Sequence, residues 1–415
     1  MPANASRMSI LRARWLFPVG APPIAGGEIA IREGRIEAVG RNLGPATDLG
    51  DVAIVPGLIN AHTHLEFSEL DQPLGAAGVS FPQWIRHVIA WRRARDEIET
   101  VGRQRRQEAT ERGLQESFAS GVTTLGEIAA PGWPVAPFLN GAPTCIVFQE
   151  LLGLAPERHG PLMDLAQQHL AAGRQSMSWR PALSPHAPYT APFRLVEAAA
   201  ELSQRSQTPL AMHLAESPEE LELLQAGRGP FYDFLAEFSP HAPTYVPQGA
   251  RPLDYLQRLA AAHRTLVVHG NYLDEDELGF LAERSATMTV VYCPRTHDYF
   301  GHSPYPLAEM LSRGVRVAIG TDSRGSNPDL NFWEELRFVS RRHSNVSPAE
   351  VLRLGTAASA EALGVAHDRG TLAVGRRADL AVVRLPQRSA DDPHELLFDD
   401  EAQIAAVYFA GKRVE

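Results

Sequence analysis

Lysine is almost missing from this chain. One of its 39 basic residues is a lysine, Lys412, three residues from the C-terminal end; the rest are arginines. A Schiff-base lysine, a P-loop lysine or a carboxylated lysine bridging two metal ions therefore has no well-placed residue to use. Cysteine is scarce too. Cys145 and Cys293 stand alone, with no Cys-x-x-Cys pair, which excludes a disulfide framework and a cysteine-based structural zinc site. That usage fits a reducing cytoplasm. There is no excess of positive charge. The formal net charge is −10, and no basic run stands out, so nucleic acid and anionic membrane surfaces are poor partners. No apolar stretch approaches the ~18 residues of a membrane helix. Trp15-Leu16-Phe17-Pro18-Val19 is short and broken by proline, and reads as a strand and turn rather than a signal-peptide core. No Gly-x-Gly-x-x-Gly opens a helix, which weighs against a dinucleotide-binding open sheet. Internal repeats and low-complexity tracts are absent.

What is present is an ordinary globular composition, 44% hydrophobic and 21% charged, over 415 residues. That length suits two to three domains, or one large barrel with attachments. Near the start, Glu28-Ile29-Ala30-Ile31 alternates polar and apolar, Glu33-Gly34 can turn, and Arg35 to Gly40 alternates again, which predicts a hairpin. Near the end, Arg377 to Val383 and Ile404 to Phe409 are short apolar runs beside Gly375 and Gly411. Strands at both ends predict a small β-sandwich domain built from residues 1–55 and 366–415.

Between them, residues 56–365 alternate buried strands with amphipathic helices. Candidate strands run Ala53 to Leu58, Val122 to Leu125, Thr144 to Gln149, Pro209 to His213, Thr265 to His269, Met288 to Cys293 and Val315 to Gly320. Helical patterns include Arg105 to Ser120, Leu195 to Ser203 and Phe280 to Arg284. Repeated strand–helix units predict an α/β fold, a (β/α)8 barrel; an open doubly wound sheet is the alternative. The Gly-, Pro- and aromatic-rich segment Gly227 to Arg251 reads as a long loop or lid.

Barrels place active sites at the C-terminal ends of their strands. There, one apolar run from Val52 to Asn60 leads into Ala61-His62-Thr63-His64, whose two histidines point to the same side of an extended chain. Leu210-Ala211-Met212 ends in His213, with Glu216 three residues on. Thr265 to Val268 ends in His269. Val315 to Gly320 ends in Thr321-Asp322, just after a glycine that permits close backbone approach. Singly, each is a polar strand end. Together they suit a mononuclear site for one divalent ion, Zn²⁺ before Fe²⁺, with a position left for water. A binuclear site needs a bridging anion. Lysine cannot supply it, which leaves a glutamate bridge through Glu127 or Glu150. Glu219 and Glu220 read as solvated acids at a helix start.

These residues resemble the amidohydrolase superfamily, within it the mononuclear deaminase and chlorohydrolase branch. Pro56-Gly57-Leu58-Ile59-Asn60-Ala61-His62-Thr63-His64-Leu65 is similar to its first-strand motif, Met212 to Ser217 to the fifth, Val268-His269-Gly270 to the sixth and Gly320 to Ser323 to the eighth. Gly370 to Leu380 resembles the family's return into its sandwich. The resemblance implies metal ligands His62, His64, His213 and Asp322, Glu216 as proton shuttle, His269 beside the reacting water and Asp322 as base. It implies a hydrolytic deaminase of an aminopurine, nucleoside-like or related heterocycle. A chlorohydrolase or cyclic amide hydrolase is the rival within the superfamily, and a non-catalytic scaffold the rival outside catalysis, although such proteins tend to lose ligands kept here. Related enzymes are often homodimers.

Substrate contacts are expected from His186, which resembles a substrate-facing histidine of this branch, and from Arg295, His297 and Arg324. Cys293-Pro294-Arg295-Thr296-His297 departs from the commoner Cys-Pro-x-Ser-Asn pattern, and Arg324 stands where small residues are usual. Both arginines could bind a carboxylate, or simply reflect a chain that uses arginine for nearly every cation. His64-Leu65-Glu66-Phe67-Ser68 with Phe81-Pro82-Gln83-Trp84-Ile85 resembles aminodeoxyfutalosine deaminases, whose substrate carries an adenine and a benzoate.

Overall fold

The computed structural model describes residues 8–140, 143–176 and 178–414. Its first sheet comes wholly from the N-terminal stretch, in the order Arg35–Gly40, Glu28–Arg32, Ser9–Arg12, Thr47–Asp48. The expected hairpin pairs antiparallel from Glu28↔Gly40 to Arg32↔Arg35. Glu33 (φ 51) and Gly34 (φ 76) form its turn, both left-handed as a two-residue hairpin turn requires. A second, six-stranded sheet mixes the two ends of the chain: Lys412–Val414, Gln403–Phe409, Leu380–Arg384, Val52–Pro56, Trp15–Leu16 and Ile24–Ala25. One apolar core, including Leu11, Leu16, Ile29, Ile54, Leu380 and Val382, draws side chains from both sheets. That is the β-sandwich expected from the termini.

The third sheet has eight strands in chain order: Leu58–Thr63, Val122–Ala129, Thr144–Leu151, Trp179–Pro185, Pro209–Leu214, Arg264–His269, Met288–Tyr292 and Val317–Ile319. Neighbours pair in parallel, as in His213↔Val268 and Val291↔Ala318. These strands are buried along nearly their whole length, so they read as continuous apolar runs without alternation. A parallel bridge between Thr63 and Asp322 joins the first strand to the chain beyond the eighth, and Asp322 N donates to His62 O at 3.1 Å. Gly320 permits that approach, since a Cβ there would lie 2.8 Å from His62 Cβ. The result is a nearly closed (β/α)8 barrel.

Helices follow the strands and start on local caps. Asp274 accepts from the N–H groups of Asp276 and Glu277 at the head of Glu275–Glu283. Ser217 accepts from Glu220 N at the head of Pro218–Ala226. By internal contacts the chain forms two compact units. One takes the chain up to Asn60, Gln115–Leu125 and everything from Asn331 onward; the other takes Ala61–Leu114 and Gly126–Leu330. Among the described residues, no helix is long and apolar enough to cross a membrane.

Three local expectations need correction. The single apolar run from Val52 is two strands in two sheets. Val52–Pro56 pairs with Leu380–Arg384 in the terminal sheet, and Leu58–Thr63 opens the barrel. The break is at Gly57, where a Cβ would lie 2.2 Å from Thr123 Oγ1, so only glycine fits. The fourth barrel strand, Trp179–Pro185, was hidden by its two prolines. Finally, Gly227 to Arg251 is not structureless. It contains the helix Pro230–Phe238 and a short 3-10 turn at Ala242–Tyr245. Phe231, Phe234 and Leu235 recur at helical spacing and are buried. The flanking Gly229 and Pro230 look like loop residues but act as the helix start, with proline in the first turn.

Candidate active site and metal centre

Five side chains from four strand ends meet at one point. His62 ends the first barrel strand with His64 two residues on. His213 ends the fifth, His269 the sixth, and Asp322 lies three residues past the eighth. Ligand atoms of His62, His213 and His269 lie within 4.8 Å of one another, as do those of His62, His64 and Asp322. Asp322 Oδ1 is 3.5 Å from His62 Nε2 and 3.7 Å from His64 Nε2. The Nε2 atoms of His64 and His213 face each other at 3.3 Å.

The sharp exits from the strands are built in the left-handed region. Ala215 (φ 52), His269 (φ 70) and Asp322 (φ 59) all adopt it, a conformation that costs free energy for residues other than glycine. Local contacts hold it. Tyr305 Oη donates to His269 O at 2.9 Å, Gly270 N to Leu214 O at 3.0 Å and Tyr272 N to Ala215 O at 3.2 Å.

The donor chemistry fits a divalent cation. His213 Nδ1–H donates to His186 O at 3.0 Å, which fixes its tautomer and leaves Nε2 as a bare nitrogen aimed into the cluster. Burial, followed by the neighbouring His62, pushes His64 and His213 well below the ordinary histidine value, and burial does the same to His269. Neutral imidazoles keep lone pairs for a metal. Asp322 lies well below the carboxylate range. Burial opposes this, but its hydrogen bond with His62 and the charges of His269 and His62 outweigh burial. Two bare nitrogens at 3.3 Å repel unless a cation or proton lies between them, and a buried carboxylate beside them supplies the countercharge.

Glu216 flanks the cluster. Its Oε1 is 3.3 Å from His269 Nε2, and its backbone carbonyl accepts from Asn271 Nδ2 at 2.9 Å. Burial first, then the charges of Asp322 and Glu220, push the Glu216 carboxyl well above its ordinary range. Glu220 departs from the expectation of a solvated helix-start acid. It is fully buried, and its two carboxylate oxygens accept from Ala215 N at 2.8 Å and Glu216 N at 2.9 Å. Glu219 is the exposed one.

Glu127 and Glu150 belong to neither donor cluster. Both oxygens of Glu127 accept from Leu65 N, at 3.1 and 3.0 Å, which pins the chain just past His64. Glu150 Oε1 is 3.9 Å from His186 Nε2.

The donors form the floor of a cavity of about 420 Å³. Its walls are largely aromatic and aliphatic, with Phe67, Phe81, Trp84, Tyr189, Phe234 and Phe238 prominent. His186 lines it. Its Nδ1 lies 2.7 Å from Thr190 Oγ1, and burial, with the charge of Arg92, takes the ring down to about 3, so it is neutral. The other expected substrate residues lie elsewhere. Arg295 donates to Asp329 Oδ1 at 2.6 Å, and Arg324 Nε donates to Leu70 O at 2.7 Å. His297 is buried against Tyr292, His302 and Tyr305. None of these three borders the cavity. Sequence reasoning missed Glu220, Arg92 and the helix Pro230–Phe238. The aromatic spacing in that helix was the readable signal; the burial of Glu220 and Arg92 left none.

Comparison with known proteins agrees with this geometry. The family model described as the amidohydrolase family matches residues 53–414. A 5-methylthioadenosine/S-adenosylhomocysteine deaminase of Syntrophobacter fumaroxidans is 30% identical over 377 residues, 86% of this chain and 80% of that protein. An aminodeoxyfutalosine deaminase of Nitratiruptor is 27% identical over 344 residues, 80% of this chain and 79% of that one. Among solved structures, an adenosine deaminase from Xanthomonas campestris with bound zinc superposes with a TM-score of 0.80 at 24% identity, covering 97% of this chain and 92% of that one.

Proposed function

The chain belongs to the amidohydrolase family, and from that premise we propose that it is a metal-dependent hydrolytic deaminase of an adenosine-type aminopurine. The observation that carries the reading is the placement of Glu216 within 3.3 Å of His269, at the edge of a five-donor cluster on the floor of an apolar cavity. The printed activities of the relatives, deaminases of adenosine-like compounds, support it.

His62, His64, His213 and Asp322 would hold one divalent ion, with His269 close beside them. We favour zinc, because three imidazoles and a carboxylate suit it and a similar fold carries it. When bound, such an ion supplies Lewis-acid chemistry at the amino-bearing carbon. The protein's own residues do the rest. Asp322 accepts the proton of the attacking water. Glu216 delivers a proton from its carboxyl to the ring nitrogen beside the attacked carbon, and its elevated proton affinity suits that task. His269 faces the developing negative charge. The aromatic walls exclude bulk water and stack on a flat heterocycle. Water replaces the amino group, a carbonyl forms at that carbon, and ammonia leaves.

The test is ammonia release by metal-loaded protein from adenosine, methylthioadenosine, S-adenosylhomocysteine, aminodeoxyfutalosine, guanine, cytosine and triazines, with Glu216→Gln as blank. Ammonia from an aminopurine, lost in the blank, supports the reading. Chloride from a chlorotriazine with no ammonia from any purine overturns it.

A further inference from the structure

A second cavity, of about 270 Å³, shares Arg92, Glu150 and Leu152 with the first, so the two are compartments of one cleft with Arg92 at the joint. Charge distinguishes the second compartment. Arg92 and Arg95 both pair with one carboxylate, Glu66; Arg95 and Arg106 both pair with another, Asp96. Three guanidinium groups are thus answered by two paired carboxylates. Glu127 and Glu150 also face the compartment, but burial pushes both up, so neither balances the third cation fully. Donors are left over as well. Among the described residues, the buried Nε atoms of Arg92 and Arg106 have no hydrogen-bond partner. Beyond these groups the lining turns apolar, with Pro131, Trp133, Phe138 and Leu152.

We propose that this second compartment receives an anionic arm of the substrate, an apolar segment ending in a carboxylate that Arg92 and Arg106 grip. This rests on the deaminase reading above and narrows it: the aminopurine lies over the metal cluster and its substituent reaches past Arg92. A surplus of one positive charge matches a monoanionic carboxylate better than a doubly charged phosphate. The apolar lining suits the carbon segment between heterocycle and anion. Arg92 is held for this work. Its guanidinium lies 5.4 Å from the centroid of Phe67, whose ring stacks on Trp91 at 4.8 Å.

The experiment compares kcat/KM for S-adenosylhomocysteine and aminodeoxyfutalosine, which carry a carboxylate, with that for methylthioadenosine, which does not. At least one carboxylate compound is expected to be favoured by about 50-fold or more, and Arg92→Met to shrink that ratio to below about 5-fold. Glu66 keeps Arg95 as partner in that variant. Arg106→Met, which borders only the second compartment, is the second probe and is expected to reduce the same ratio. A wild-type ratio within about 3-fold, or a ratio untouched in both variants, overturns the inference while ammonia release itself leaves the deaminase reading standing. Silence on every purine sinks both.

Discussion

Glu220 holds the backbone of Glu216: one carboxylate oxygen accepts from Glu216 N at 2.9 Å and the other from Ala215 N at 2.8 Å. Ala215 is left-handed, at φ 52, so the turn that aims the Glu216 side chain is an unfavourable one kept in place from outside. Ser217 Oγ closes the loop by accepting from Glu220 N at 3.3 Å. Glu220 touches neither the metal cluster nor the main cavity lining, and is a positioning residue.

Glu220→Gln replaces one accepting oxygen with an NH₂ group that confronts an N–H. The turn loses a hydrogen bond and gains a clash of donors. Misplacing the proton-transfer group by about 1 Å is expected to lower kcat about 100-fold. KM is expected to stay within about 3-fold, and metal content to match wild type. A variant whose kcat per bound metal equals that of wild type would show that Glu220 serves stability alone.

Glu220 also sets a pH dependence of stability. Burial raises its pKa from 4.5 to about 7 in the folded protein, and the hydrogen bonds from Glu216 N and Ala215 N only partly offset this. Between these values the folded state binds more protons than the unfolded one, so this group's contribution is fully present below 4.5 and lost as pH rises to about 7. Relative to Glu220→Gln, which does not titrate, wild type is expected to lose on the order of 3 kcal/mol across that window. Denaturant unfolding of both proteins from pH 4.5 to 8 measures it, and a flat difference would refute it.

The metal cluster was legible in the sequence because each member ends an apolar run that the barrel then aligns. His62, His64, His213, His269 and Asp322 converge for that reason. The sandwich was legible from alternation at both ends. What stayed hidden had physical causes. Gly57 looked like the interior of one strand because nothing local records that Thr123 approaches within 2.2 Å of its missing Cβ. Trp179–Pro185 reads as a loop because prolines interrupt it, yet it pairs in parallel with the third strand over seven residues, from Cys145↔Trp179 to Leu151↔Pro185. Arg295 and Arg324 drew attention as unusual cations, but Asp329 and the Leu70 carbonyl engage them away from the cavity. Arg92, unremarkable among the arginines of its helix, is the one that reaches the cavity wall.

Removing metal separates ligands from proton-transfer groups. His213→Ala deletes a nitrogen whose partner, His64 Nε2, lies 3.3 Å away, and Asp322→Ala deletes the one carboxylate of the cluster. Both are expected to hold less than about a tenth of an ion per chain by elemental analysis, against about one in wild type and in Glu216→Gln. Stripping wild type with a chelator is expected to lower Tm by about 5 °C or more, and excess Zn²⁺ to restore it, since an ion that binds only the folded state stabilises by mass action. Normal metal content in His213→Ala would remove that histidine from the ligand set.

The passage between the two sheets is the last test. At Gly57 a methyl group would lie 2.2 Å from Thr123 Oγ1 and 2.6 Å from its Cγ2, both on a fully buried strand with no room to retreat. Gly57 N also donates to Asp379 O at 2.7 Å and Leu58 N to Gly121 O at 2.9 Å, so the backbone cannot shift without breaking either bond. Gly57→Ala is therefore expected to destabilise by about 2–3 kcal/mol, as overpacking does in a rigid interior. Thr123→Ala removes Oγ1 and Cγ2 together but leaves a Cβ at 2.9 Å, so it relieves most of the clash and not all of it. The double variant is expected to be at least about 1 kcal/mol more stable than the sum of the single changes predicts. Strict additivity in denaturant unfolding would mean that the chain turns at Gly57 for some reason other than the close approach of Thr123.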